Sequence, residues 1–132
     1  MCSSDLDVIA GIPLAANFRV EEFVAQRSLL SSDKVGCFVT HGGAGSTQEA
    51  ATFGKPSLCI PFMWDQPYNC SVLQRLGVAR KLSKRHLARR RVAAEVRELI
   101  VNPRYAEAAR LLASSLAQLR AQSVETLRWK SA

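Results

Sequence analysis

Apolar runs bounded by glycine, proline and polar residues alternate along this chain with segments of helical period, the pattern of an α/β domain with a parallel sheet. The spacing predicts strands over residues 7–12, 18–23, 35–40, 57–61 and 78–82, and a brief helical turn over 26–30. Residues 35–40, VGCFVT, are the clearest strand. They carry no charge and are rich in β-branched and aromatic side chains, so both faces are expected to be covered. A helix is expected over 67–76, closed by Gly77, and two more over 84–101 and 103–127, with Asn102 and Pro103 dividing them.

After the strand at 35–40 comes HGGAGSTQEAATFGKP. The glycines allow a tight turn, and Ser46 with Glu49 makes an S-x-x-E capping box that is expected to start a helix ending at Gly54, ahead of Pro56. A strand, a glycine turn and a helix N-terminus together offer unpaired backbone amides, a positive dipole end and room for an anion to approach the main chain. His41, at the carboxyl end of its strand, would project into the crevice where open α/β sheets bind ligands, and its ring could donate to a phosphate oxygen. The Gly-Gly-x-Gly turn is neither the dinucleotide fingerprint nor a Walker sequence, so the residues alone leave two readings: a phosphate site or a structural turn. Glu49 likewise reads as a helix cap or as an acceptor for ligand hydroxyls.

Composition narrows the class. The chain has 132 residues, 48% of them hydrophobic, ample for a single core. Its apolar runs fall far short of the roughly 20 residues that cross a bilayer, and MCSSDLDVIA does not resemble a signal peptide, so a cytoplasmic location is expected. Cys2, Cys37, Cys59 and Cys70 lie far apart without a CxxC pair, so reduced, mostly buried thiols are expected, with no metal site. The net charge of +7 is carried by Arg80, Lys81, Lys84, Arg85, Arg89, Arg90 and Arg91, with no acid among them. Such a run reads as a solvated helix face or as a peripheral contact with an anionic membrane surface. Nucleic acid is not expected as a partner, since no aromatic residue interleaves the cations to stack bases.

FVTHGGAGSTQEA followed by GKPSLCIPFMWDQPYN closely resembles the donor-binding signature of the UDP-glycosyltransferases. Residues 23–66 match the length of the plant secondary-product box of that family, which opens on Trp-x-Pro-Gln and closes on Asp-Gln. The similarity continues through DQPYN, the turn at Leu76-Gly77-Val78 and NPRYAEAARLL, so it covers about residues 17–119. Phe23 replaces the tryptophan of the plant box, Ala25 its proline, and Ala44-Gly45 its Trp-Asn, which makes this turn more like the bacterial antibiotic and broad-specificity members.

The resemblance implies a Rossmann-like parallel sheet flanked by helices, the C-terminal half of a GT-B glycosyltransferase lacking its first strand and helix. On that reading residues 1–132 are a single nucleotide-sugar-binding domain, with 1–16 an incomplete N-terminal edge and 103–132 its C-terminal helix. It implies that His41 and Ser46 contact the diphosphate, lined by the backbone of Gly43, Ala44, Gly45, Ser46 and Thr47. Glu49 would accept from the ribose hydroxyls, Phe23 and Gln26 would meet uracil, and Asp65 and Gln66 would hold the transferred sugar. The donor is then a UDP-sugar, no metal or cofactor is expected, and a hexose would pass with inversion to a small lipophilic or phenolic acceptor. The family's catalytic histidine and aspartate lie in the N-terminal domain, so no catalytic residue is expected in this chain. His86 reads as a helix-start residue, and the chain is read as a fragment carrying a donor site without the base. Two other readings stay open: the soluble donor subunit of a two-chain lipid-linked N-acetylglucosaminyltransferase, and a non-enzymatic basic module that binds anions.

Overall fold

The computed structural model describes residue 13 and residues 15–130, with 126–130 as backbone; the strand expected over 7–12 lies outside them. The elements run α1 (Gln26–Ser31), β1 (Phe38–Thr40), α2 (Ala44–Thr52), β2 (Ser57–Cys59), α3 (Gln66–Arg75), β3 (Ala79–Lys81), a 3₁₀ turn (Lys84–His86), α4 (Arg89–Val101) and α5 (Pro103–Lys130). The three strands pair in parallel in the order β1-β2-β3, with Phe38 opposite Ser57 and Ser57 opposite Ala79. Helices α2 and α3 supply the crossovers that parallel neighbours require.

Alternation along β2 divides the core between the two faces of the sheet. Cys59 packs with Cys70, Leu73, Val78, Ala79 and Ala109, while Leu58 packs with Leu82, Leu99 and Tyr105. All three residues of β2 are buried. Cover on both faces therefore belongs to this central strand, whereas β1 is at the edge of the sheet among the described residues and leaves Val39 49% exposed. That corrects the expectation of two covered faces for residues 35–40, of which only Phe38–Thr40 is strand.

Other boundaries move for local reasons. Residues 18–23 form no strand: among the described residues nothing pairs with them, and a strand needs a ladder partner to hold its backbone. The segment expected as strand over 57–61 ends at Cys59, although Ile60 N still donates to Thr40 O at 2.8 Å. Pro61 has no N–H with which to extend the ladder. The helix expected over 84–101 is two pieces. Ser83 caps the 3₁₀ turn by accepting from Arg85 N, and Ala88, extended at ψ 136°, resets the backbone before α4. Like charges four apart, Arg85 and Arg89 among them, oppose one continuous helix there. The break at Asn102 stands where expected, and α5 runs past residue 127 to Lys130.

The core thiols give a test of burial. Burial pushes Cys59, Cys70 and Cys37 up from the ordinary value of 9.0, with the neighbouring Cys70 adding to the effect on Cys59. The unfolded chain therefore releases these protons near pH 9 while the folded chain keeps them. Stability should hold below that pH and fall as pH rises above it, by about 1.4 kcal/mol per pH unit from Cys59, with Cys37 and Cys70 acting in the same direction. Urea denaturation at about pH 8 and about pH 10 measures the fall. Cys59→Ala should shrink it; an unchanged slope would refute the assignment to the thiol.

Candidate functional site

The site grows from the end of β1. Thr40 is buried and its Oγ1 accepts from Gly42 N at 3.2 Å, which ties the turn to the strand it leaves. Gly42 takes φ +88°, and a Cβ there would sit 2.3 Å from Cys70 Sγ and 3.2 Å from Gln66 O. The glycine is required twice, by its backbone angle and by α3 lying against it. From the other side Asn69 Nδ2 donates to Gly42 O at 3.0 Å.

Gly43, extended at ψ 152°, is the N-cap of α2, which begins at Ala44. Ser46 therefore lies inside the first turn, and the capping box with Glu49 does not form: no side chain caps this helix. The small residues Ala44 and Gly45 let the helix run back to the turn, where Gly42 ends it. Thr47 N donates to Gly43 O at 3.0 Å, and Thr47 Oγ1 donates to Gly43 O and Ala44 O, so both donors of Thr47 are spent within the helix. The N–H groups of Ala44, Gly45 and Ser46 have no helical acceptor, and no acid occupies the first turn. The His41 ring folds over this N-terminus, its Nε2 2.6 Å from where a Gly43 Cβ would stand.

A cleft of about 340 Å³ opens beside the turn, lined on its polar side by Gln26, His41 and Ser46 and on its apolar side by Val39, Ile60 and Phe62. Glu49 stands one turn along α2 from Ser46. Its carboxylate accepts from Gln26 Nε2 at 2.7 Å and lies 3.6 Å from Arg27 NH1. Lys55 Nζ donates to Ser32 O and Val35 O, pinning the connection that follows α1 and so the placement of Gln26.

Asp65 and Gln66 open α3, after a loop in which Trp64 adopts φ 54°, a left-handed backbone rare for a bulky residue. Gln66 Oε1 accepts from Phe62 N and Met63 N, which folds that loop back on α3. Asp65 Oδ2 accepts from Asn69 Nδ2 at 2.8 Å, so Asn69 joins Asp65 to the glycine turn. The structure thus gathers Gln26, His41, Ser46 and Glu49, and ties Asp65 to the turn. Phe23, 85% exposed, is not among the residues lining the cleft.

Three contributors have no role in the sequence reading. Arg27 reaches Glu49, Thr40 anchors the turn and Asn69 bridges its two halves. Only Asn69 carried a local signal, its place four residues after Asp65 on one helix face. The basic run also changes character, because Glu95 lies beyond it in sequence and returns to pair with Arg80 and Arg91.

A sequence profile of the family described as UDP-glucoronosyl and UDP-glucosyl transferase matches residues 11–127. The chain belongs to this family. It is 42% identical over 78 residues to an ecdysteroid UDP-glucosyltransferase of Autographa californica nuclear polyhedrosis virus, covering 59% of this chain and 15% of the relative. Among solved structures, the glycosyltransferase VinC in complex with dTDP matches with TM-score 0.76 and 28% identity over 86% of this chain and 28% of its own. LpCGTa in complex with UDP matches with TM-score 0.66 and 30% identity over 72% of this chain and 24% of its own. The sheet and helices are those of a GT-B glycosyltransferase, as the sequence resemblance implied. This UDP-glycosyltransferase chain spans only a minor part of the length of the relatives it matches.

Proposed function

We propose that the cleft beside α2 binds the nucleotide diphosphate of a UDP-sugar and that this chain serves as the donor side of a hexosyltransferase. The observation that carries the reading is the uncapped N-terminus of α2, with His41 folded over it and Gln26, which lines the cleft, held by Glu49 one helical turn along α2. Diphosphate oxygens accept from the Ala44, Gly45 and Ser46 amides and from the His41 ring, and the helix dipole favours their charge. Thr47 contributes through the helix it stabilises, since its own donors are engaged.

Glu49 accepts from the ribose hydroxyls while keeping Gln26, because a carboxylate offers about four lone-pair positions. Gln26, which lines the cleft, meets the uracil, and the exposed ring of Phe23, three residues before it in the chain, is assigned to stack on the base. Asp65 and Gln66 hold the sugar: Gln66 spends its carbonyl on the loop amides and turns its amide N–H groups to the ligand. In the reaction this turn stabilises the charge that develops on the departing UDP. Attack by a small lipophilic or phenolic hydroxyl would invert the anomeric carbon, and we assign no catalytic base or metal ligand among these residues. Contact with an anionic membrane surface would fall to Lys84, Arg85, Arg89 and Arg90, which are exposed.

Titration calorimetry of the 132-residue chain with UDP tests the reading. Binding is expected in the micromolar to millimolar range, about 4–8 kcal/mol. A folded chain by circular dichroism that gives no heat with UDP would overturn it.

A further inference from the structure

A second cavity, about 540 Å³, lies at the outer edge of β3, between α4 and α5, and shares no lining residue with the donor cleft. Its wall carries Arg80, Lys81, Arg91 and Arg104 against a single carboxylate, Glu95. Glu95 is buried and pairs with Arg80 Nε, with Arg91 Nε at 3.5 Å. The other guanidinium edges converge on Tyr105, only 3% exposed: Arg80 NH1 donates to its hydroxyl at 3.0 Å and Arg104 NH2 at 2.7 Å. Arg104 also lies over the Tyr105 ring, 4.6 Å from its centre, which holds its guanidinium in place.

The chemistry of this arrangement is one-sided. A phenol oxygen has two acceptor positions and one proton, and here both acceptor positions are filled by cations. The Tyr105 O–H has no acceptor among the described residues, so it can serve only as a donor. Burial raises the Tyr105 pKa and the hydrogen bonds from Arg104 and Arg80 lower it; the net direction is down, which makes that proton easier to share. Lys81 Nζ is held by Pro67 O and Ser71 Oγ, so the group that completes the site must accept hydrogen bonds and carry negative charge enough to balance three guanidinium groups facing one carboxylate.

We propose that this cavity binds a phosphomonoester dianion. Three terminal oxygens suit the guanidinium edges of Arg91 and Arg104, the remaining edge of Arg80 and the Tyr105 hydroxyl, since arginine forks match phosphate geometry. The site does not depend on the donor reading, because no residue lining it is assigned to the donor.

Side-chain NMR of the arginine Nε–H groups in the 132-residue chain, titrated with glycerol 3-phosphate at constant ionic strength, tests it. Arg80, Arg91 and Arg104 signals should move together on one saturable curve, and chloride should not reproduce the shift. The Arg91→Gln, Arg104→Gln double variant should weaken binding about tenfold or more, with Arg80 still holding Glu95. Tyr105→Phe keeps the ring and should also weaken it. Sedimentation with vesicles containing phosphatidic acid, compared with phosphatidylcholine alone, separates a lipid headgroup from a soluble ester. Binding to either form that the double variant loses supports the site. No saturable shift with the ester and no phosphatidic acid-dependent sedimentation, or unchanged affinity in the folded double variant, would mean that the network serves the fold alone and would overturn the proposal.

Discussion

Replacing Gly42 with alanine is expected to destabilise the fold by about 2–5 kcal/mol. Two costs add. A residue with a side chain pays about 1–2 kcal/mol to hold a left-handed backbone, and Gly42 sits at φ +88°. The new methyl would also stand 2.3 Å from Cys70 Sγ and 3.2 Å from the backbone oxygen of Gln66. Cys70 is fully buried, and a main-chain oxygen at the start of α3 cannot step aside alone, so overpacking adds about 1–3 kcal/mol. Against a typical total of about 5–15 kcal/mol, this removes a large share of the stability of the domain. Gly45→Ala is the control. A Cβ there meets nothing within 4 Å on a residue inside α2, so the change should be neutral or stabilising by up to about 1 kcal/mol. Urea denaturation of both variants measures the contrast. Equal stability for the two would show that the turn relaxes freely and is not held by α3.

Glu49→Ala is expected to weaken UDP by about 1.5–3 kcal/mol, some ten- to hundredfold, and to weaken dUDP much less. The effect follows from the proposed place of Glu49 at the ribose. A carboxylate accepting from both ribose hydroxyls makes two charge-assisted hydrogen bonds, and dUDP offers only one of those hydroxyls. The structure removes the rival explanation that the loss would come from an uncapped helix, because Glu49 does not cap α2. It introduces another, since Glu49 also holds Gln26 at 2.7 Å and its loss could free α1. Glu49→Gln addresses this: it retains a carbonyl for Gln26 and for one hydroxyl and should fall between wild type and Glu49→Ala. Calorimetry with both nucleotides gives the four affinities. Equal losses for UDP and dUDP would leave Glu49 as a brace for Gln26 and sink its ribose role.

Much of the site was legible along the chain because its parts are local. The apolar residues before His41, the glycines after it and the run to Gly54 imply strand, turn and helix from propensity alone, and β1 and α2 follow in that order. Residue type also suggested the chemistry proposed for the turn, since only a few side chains can present donors to an anion there. The capping box failed for a tertiary reason. Helix α2 begins at Ala44, two residues before Ser46, because the turn is set by Gly42 packed against Cys70 and Gln66 on another helix. Phe23 matched a motif position and is not among the residues lining the cleft.

What the sequence by itself determined is the set of short-range choices: where the chain turns, which segments are helical, where Asn102 and Pro103 separate α4 from α5, and which residue types stand at the end of β1. Those follow from backbone preferences acting over a few residues. Only the tertiary structure decided that β1 leaves Val39 half exposed while β2 is buried throughout, that Glu49 meets Gln26 across 23 residues, and that Glu95 returns 15 residues to Arg80. Such pairings depend on which faces the sheet and helices bury together. Local propensity carries no information about that, because the burial and Coulomb terms that select the partners arise only once the elements have packed.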